Sequence, residues 1–537
     1  MVFDYIVIGA GSAGSVIANR LSANGRHSVL VLEAGPSDNR FYVRVPLGYG
    51  KVYYDKKVNW CYQSEPVAGL NNNTSYWPRG KVLGGSSSIN AMVYVRGHER
   101  DFQEWSEQAT GWSWSDVEPV YKQMENYSGA HNGERGNTGP LAVHETSADA
   151  HPLCNTYLEA CEQCQIPTNS DYNSGAMEGA SLYQITTRNG LRASSSVCYL
   201  HPAKSRHNLS VLTNAQVVRI VFNGKTATGV EYVRDGQCQS VHARCEIVLS
   251  AGAINSPQLL QLSGIGPHAV LREHDIELVE DSQQVGRNLQ DHLGADIVCK
   301  TNVDSMNQVL GPWHGKLKAG LQFLLQRRGP LTSSLNQAGG FVRTSESAPG
   351  PDLQLYFSPV SYTRAPANTR PLISPDPFPG FLIGYNPCKP SSLGYVKLRS
   401  ANPFDAPLMQ PNYLETEHDR SLMLTGFKLI RTLLNAPAFR DVVVDEVYPG
   451  TDCQSDEQMM TFIRNNAWTV FHQCGTCRMG DVAGESVVDA RLRVHGVTGL
   501  RVADASIFPS IPTGNTNAPA IMVGERAAAF ILQDNPN

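Results

Sequence analysis

Ten residues, Phe471 to Gly480 (FHQCGTCRMG), gather a histidine, two cysteines and an arginine among glycines. Such a set serves a metal centre, a redox dithiol, or general-base catalysis by the histidine with partners elsewhere in the chain. Cys474 and Cys477 have C-x-x-C spacing, and His472 precedes them. A structural zinc takes four protein ligands, and the sequence offers no second cluster to complete the set. The other C-x-x-C, Cys161 and Cys164, lies in LEACEQCQIP, whose helical apolar spacing suits packing. A redox dithiol calls for a thioredoxin-like context near a helix N-terminus, which is not evident. The expected metal is therefore none, and the remaining reading is catalytic. A neutral imidazole, with an unperturbed pKa of about 6.5, can take a hydroxyl proton at working pH.

A base needs an acceptor chemistry beside it, and the N-terminus supplies one. Phe3–Ile8 is a β-rich apolar run, followed by GAGSAG (Gly9 to Gly14), a stretch with helical apolar spacing, the strand-like SVLVL, and Glu33. This is strand, G-x-G-x-x-G, helix, strand, acid in the order of a dinucleotide site. Gly9 makes the tight turn, Gly11 lets backbone approach a pyrophosphate, and Gly14 lets the helix pack on the strand. Glu33 is placed to accept from an adenosine ribose. The motif alone does not separate NAD from FAD. A second glycine-serine stretch, WPRGKVLGGSSSIN (Trp77–Asn90), forms a loop able to approach a planar or anionic ligand closely, and it runs into the strand-like MVYVRG. A third, GAINSPQLLQLSGIG (Gly252–Gly266), reads as a plain strand-turn-helix whose first residues add contacts near the cofactor.

The elements that carry these motifs belong to a long chain. At 537 residues it exceeds one ordinary core, so two lobes, or one large domain with insertions, are expected. The formal charge of −5 gives no reason to expect nucleic acid. The start, MVFDYIVIGAG, reads as a strand rather than an export signal, and no run approaches a membrane span. The 12 scattered cysteines are expected to be thiols in a reducing cytosol. The expected location is cytoplasmic, with peripheral attachment to the inner membrane as the variant. KLKAGLQFLLQRRG (Lys316–Gly329) puts Leu317, Leu321, Leu324 and Leu325 on one helical face between basic ends. Packing on the protein is its first reading, and contact with an anionic membrane, where a quinone could be reached, its second.

Taken together, GKVLGGSSSINAMVYVRG and GAINSPQLLQLSGIG resemble the two internal signatures of the glucose–methanol–choline (GMC) oxidoreductase family. GAGSAG with Glu33 resembles its FAD fingerprint, and RVADASIFPSIPTGNTNAPAIMVGERAA its C-terminal block, so the resemblance covers nearly the whole chain. The wording is nearest to choline dehydrogenases and bacterial aliphatic alcohol dehydrogenases. The resemblance implies an α/β fold, α+β overall: a Rossmann-like FAD-binding domain (1–155, 206–300 and 464–537) interleaved with a substrate-binding domain (156–205 and 301–463). The latter is built on an antiparallel sheet from PDLQLYF, FLIGYNP and LGYVKLRS, with helices such as Arg420–Leu434 outside it.

By the same resemblance Gly9, Gly11, Ser12, Ala13 and Gly14 form the pyrophosphate loop, and Glu33 is the ribose ligand. Val82, Gly85, Ser86, Asn90, Ala91, Met92 and Val93 face the flavin, Val217 reads adenine through its backbone, and Asp504 and Ala505 contact the pyrophosphate and ribityl region. Some choline oxidases carry a histidine, covalently linked to the flavin, where this chain has Ile89, so non-covalent FAD is implied. His472 resembles the catalytic histidine, and its companion in GNTNAPA is taken as Asn517 in preference to Asn515. The implied reaction is oxidation of a primary alcohol, aliphatic or choline-like, to the aldehyde: hydride goes to flavin N5, the proton to His472, and the electrons to a quinone or other carrier.

Two alternatives stand beside it. One is an oxidase reducing O2 to H2O2, which Val470 does not exclude; the other is a flavin-binding protein without alcohol chemistry. One group titrating near neutrality is expected in the site. Choline would call for an aromatic cage with a carboxylate, for which Trp60, Tyr356, Phe357, Tyr362 and Trp468 are available. Oligomeric state is left open.

Overall fold

The computed structural model describes residues 1–130, 133–362 and 374–535. The apolar run Val2–Ile8 forms a strand whose last four residues are buried. The chain then turns at Gly9, whose φ of +92° a glycine adopts without strain, into the helix Ser12–Leu21. Val29–Leu32 returns as a parallel neighbour. The sheet runs Leu209–Leu212, Val29–Leu32, Val2–Ile8, Gln237–Leu249, Thr226–Arg234, Gln216–Asn223, with Leu500–Val502 also pairing with Gln237–Leu249. Its centre is parallel, as expected, but Gln216–Asn223, Thr226–Arg234 and Gln237–Leu249 form an antiparallel meander at one side. Register explains why motifs far apart in sequence meet. Ile8 pairs with Leu32 and Leu249, and Leu249 pairs with Val502. The residues that follow them, Gly9, Glu33, Ser250 and Ala503–Asp504, therefore share one crest at the C-terminal ends of parallel strands, where open α/β sheets bind ligands.

The second sheet is antiparallel, in the order Val443–Tyr448, Leu293–Thr301, Gly380–Pro387, Leu353–Ser358, Ala338–Val342, Gly179–Leu182. PDLQLYF and FLIGYNP are strands of it, as read from sequence. LGYVKLRS is not: Tyr395–Lys397 pairs instead with Leu408–Gln410 in a separate hairpin. Leu293–Thr301, assigned by sequence to the first lobe, belongs to the second sheet. The helix Glu417–Leu434 covers this sheet, burying Met423, Phe427 and Ile430, and Tyr385 Oη donates to Met423 O at 2.6 Å. Each sheet has its own apolar core. The run MVYVRG is not a regular strand; it makes one isolated bridge, Val93 to Ile185, after Met92 at φ +67°. Trp468–Thr469 pairs with Gly294 and Leu293 at the start of the strand Leu293–Thr301 and so belongs to the second sheet. That pairing continues as Val470 N donating to His292 O at 3.0 Å, and it sets His472 beside His292.

The helix Trp313–Gln326 packs on the protein, but through Gly315, Ala319 and Phe323. The leucine face is the outward one: Leu317, Leu321, Leu324 and Leu325 are all exposed.

Candidate active site

A cleft runs from the crest of the first sheet to the loop that carries His472. Its near end is lined by Gly9, Gly11, Ser12, Ala13, Glu33 and Val217, and its far end by His472, Asn515, Tyr53 and Phe471. Gly85, Ser86, Asn90, Ala91, Met92, Val93, Asp504 and Ala505 also line it. Two expected residues do not. A methyl group on Gly14 would lie 2.0 Å from Gly9 O, so this glycine joins helix to loop rather than facing the cleft. Val82 is packed in an apolar cluster with Tyr49 and Met306 instead.

The near end suits a dinucleotide for reasons visible in the backbone. Gly11, at the N-cap, supplies no side-chain cap, so the first N–H groups of the helix Ser12–Leu21 are open to an anion. A methyl group on Gly9 would meet Ser250 O at 2.5 Å, and one on Gly85 would meet Gly11 Cα at 2.8 Å, so the loops approach too closely for side chains. Glu33 accepts from Ala10 N at 2.9 Å and Gly35 N at 2.8 Å, and burial raises its carboxyl to about 7. Asp504 accepts from Gly252 N at 2.8 Å, Ser256 Oγ at 2.6 Å and Ser506 N at 2.7 Å, tying the third motif to the C-terminal block. Asn90 Oδ1 accepts from Arg192 at 2.7 Å and from Met92 N at 3.1 Å, which holds the serine-rich loop in shape. These residues fit FAD.

At the far end a directed chain of hydrogen bonds ends on His472. His292 Nε2 lies 2.9 Å from Cys388 O, a pure acceptor, so Nε2 carries the proton and neutral His292 accepts at Nδ1. His292 Nδ1 and His472 Nδ1 are 2.9 Å apart, so His472 donates there and keeps its lone pair on Nε2. Asn515 Nδ2 lies 3.1 Å from that Nε2. The orientation of the Asn515 amide is fixed in turn, because its Oδ1 accepts from Gln354 Nε2 at 3.1 Å and Gln354 Oε1 accepts from Tyr356 Oη at 2.8 Å. Burial, reinforced by His292 and Arg79, pushes His472 well below the usual imidazole range. Burial brings His292 down to about 4. His472 is therefore neutral around pH 7 rather than titrating there.

The backbone before His472 is clamped. Phe471 has φ +69°, a left-handed conformation costing roughly 1–3 kcal/mol in a bulky residue. Arg79 Nη2 donates to Phe471 O at 2.7 Å. Asp291, buried, accepts from His472 N at 2.8 Å, Gln473 Nε2 at 2.7 Å, Thr469 Oγ1 at 2.5 Å and the Tyr413 hydroxyl. Burial raises its carboxyl to about 6 even against these donors and Arg79. Cys474 and Cys477 are buried in the core of the first sheet, their thiols pushed well up by burial.

The structure corrects the companion of His472. Asn517 opens the helix Asn517–Asp534, and its Oδ1 accepts from Ser12 Oγ at 2.7 Å, on the pyrophosphate side. Asn515, two residues earlier and still in the loop, is the one that reaches the imidazole. Sequence reading also missed Asp291 and His292. Their only local signal is an acid and a histidine side by side in QDHLG before a strand, and nothing in spacing links them to His472 across 180 residues.

Next to the imidazole the wall carries Phe471, with the Tyr53 ring 5.6 Å from it; Tyr49 and Trp60 line the cleft as well, Trp60 beneath Lys81. Of the aromatics named from sequence, Trp60 alone lines the cleft among the described residues. Phe357 is in the core of the second sheet and Tyr356 backs Gln354. The carboxylates lining the cleft, among the described residues, are Glu33 and Asp504, both at the near end.

The GMC oxidoreductase family models match residues 3–294 and 390–524. An alcohol dehydrogenase [acceptor] of Pseudomonas putida is 41% identical, the match covering 99% of this chain and 96% of that one. An oxygen-dependent choline dehydrogenase of Brucella anthropi is 40% identical over 100% of this chain and 96% of its own. Among solved structures, pyridoxine 4-oxidase from Mesorbium loti superposes with a TM-score of 0.88 at 29% identity, covering 100% of this chain and 99% of that one.

Proposed function

The chain belongs to the GMC oxidoreductase family, an FAD-binding family, and from that premise we propose that it oxidises a primary, uncharged alcohol to the aldehyde with His472 as general base. The observation that carries the reading is the pairing of His472 Nε2 with Asn515 Nδ2 at 3.1 Å. One hydroxyl oxygen can bridge this pair, giving its proton to the imidazole and accepting from the amide. The His292 contact presents the right tautomer, and burial keeps the imidazole neutral and able to receive a proton. Asn515 holds the oxygen without titrating. Bound FAD supplies the acceptor for the hydride that leaves the alcohol carbon. Phe471 and Tyr53 at the His472 end, with the lining carboxylates among the described residues, Glu33 and Asp504, at the other, favour an aliphatic or aromatic alcohol over a quaternary ammonium alcohol.

In this reading the cofactor lobe is built on the first sheet and the substrate lobe on the second, the latter including Leu293–Thr301. Ile89, an apolar residue lining the cleft, offers no group for a bond to the isoalloxazine ring, so FAD is held non-covalently. Acid precipitation should leave all flavin in the supernatant. Electrons pass to a quinone or another carrier; the name of the Pseudomonas relative specifies an acceptor without naming it. The name of the Brucella relative favours a second reading, transfer to O2.

The test is anaerobic bleaching of the bound flavin by a panel of aliphatic, benzylic, sugar and choline alcohols. Aliphatic or benzylic alcohols should bleach it fastest, and a preference for choline, or no bleaching at all, would overturn the reading. Peroxide yield in air against quinone reduction then separates the two acceptors.

A further inference from the structure

We propose that the helix Trp313–Gln326 is a docking face for an anionic phospholipid bilayer, lying in the membrane interface with its leucines inserted. The sequence makes an apolar stripe, and the fold turns it outward. At about 100° per residue, Trp313, Leu317, Leu321, Leu324 and Leu325 fall within about 120° of the helix circumference. They are exposed by 76, 54, 50, 59 and 81%. The helix is held to the protein by its opposite side, where Gly315, Ala319 and Phe323 are buried. An exposed face of five large apolar residues on one helix is costly in water and marks an interaction surface.

The charges around the stripe identify the occupant. On the same wheel Lys316 flanks one edge and Lys318 the other, and Arg327 and Arg328 follow at the C-terminal end; all four are exposed. Residues 313–328 contain these four cations and no Asp or Glu, in a chain whose overall charge is −5. Lysines on both sides of an apolar stripe are the pattern of a helix lying in the headgroup region, where the stems reach along the helix and the ammonium groups meet lipid phosphates. A second copy of the chain would instead bring like charges against one another.

The apolar surface continues beyond the helix. The Phe41 ring packs edge-on against Phe323 at 6.4 Å, and Phe41 and Tyr42 are themselves exposed, beside the exposed Arg40. Beneath, one apolar cluster joins Leu310 and Met306 to Tyr49 and Ile89, and the last two line the cleft. The docking face thus adjoins the aromatic end of the cleft, on the side from which a membrane-dissolved apolar molecule would approach.

The experiment is flotation of the purified holoenzyme with vesicles of phosphatidylcholine alone or with 30% phosphatidylglycerol, at low and high salt. The wild type should float with the anionic vesicles at low salt and bind neutral ones at least tenfold more weakly. Leu321→Glu/Leu325→Glu, at exposed positions outside both the cleft and the core, should lose binding by roughly a hundredfold, while flavin absorbance and dye-coupled turnover in solution stay at wild-type values. Lys316→Glu/Lys318→Glu should weaken binding at least tenfold. Failure of the wild type to bind anionic vesicles would overturn the proposal, as would undiminished binding by the leucine variant. A wild-type dimer that the leucine variant converts to monomer, without vesicle binding, would assign the face to a second copy. Flotation and flavin absorbance do not depend on which alcohol is oxidised.

Discussion

At the near end of the cleft the backbone makes the site. Gly9 and Gly85 bring loops within distances that leave no room for a Cβ, and an uncapped helix start at Gly11 offers its N–H groups. At the far end side chains make it: His292, His472, Asn515 and Gln354 form one directed chain, and Arg79 and Asp291 hold the strained Phe471 next to it. A backbone cradle needs space and little chemical identity outside its glycines. A side-chain relay needs a particular donor or acceptor at every link. Substitutions at the first should therefore alter cofactor retention, and substitutions at the second should alter rate with the cofactor still in place.

The largest effect expected under that contrast belongs to His472→Ala. The protein should purify yellow with its full flavin content. Anaerobic stopped-flow reduction by its alcohol should slow by about two to four orders of magnitude, the usual contribution of a positioned general base. Colourless protein would break the contrast, because it would make His472 part of the cofactor's own hold. Wild-type reduction with full flavin would remove the imidazole from the chemistry.

A sharper division separates two asparagines in one loop. Asn515→Ala removes the amide beside His472 Nε2 and should slow reduction by about tenfold to a hundredfold, with flavin content unchanged. Asn517→Ala removes the acceptor for Ser12 Oγ and should change the reduction rate less than about threefold, while flavin is lost more readily on dilution or dialysis. Equal rate losses from both changes would mean that the loop acts as one unit.

The same contrast explains what could be read in advance. The near end is written in short motifs, because glycine spacing between a strand and a helix specifies the turn after Ile8, and strand register brings the ends of four strands to one crest. Gly9 and Glu33 were accordingly legible as lining residues from spacing, whereas Val217 and Asp504 came only from the family resemblance. His472 was legible because its motif is local. Its neighbours were not, because His292 reaches it through the pairing of Leu293 with Thr469, a contact between segments far apart in the chain that leaves no periodicity in either. The choice between Asn515 and Asn517 turned on where the helix Asn517–Asp534 begins, and Thr516, with no side-chain cap, gives that boundary no sequence mark. The outward leucines of Trp313–Gln326 show the limit of hydrophobic pattern: it gave the helix, but not which face is buried.

The smallest expected effect is in the pH profile, and its sign follows from burial. Desolvation disfavours the imidazolium, so the folded pKa of His472 lies well below 6.5 and the neutral base predominates above that value. Flavin reduction at saturating alcohol should thus stand on its plateau from about pH 6.5 upward, changing less than about twofold to pH 8.5, with the rising limb at lower pH. Asp291 offers a competing origin for that limb. Its carboxyl, raised to about 6, would on protonation weaken the clamp on residues 469–473, and rate would again fall with acid. Asp291→Asn separates the two, because asparagine keeps an acceptor oxygen and does not titrate. A limb that survives in this variant belongs to His472, and a profile that becomes flat assigns it to Asp291. A wild-type limb centred at or above 6.5 would show that the imidazole is hydrated during turnover, and that the buried His292–His472 contact opens when alcohol enters.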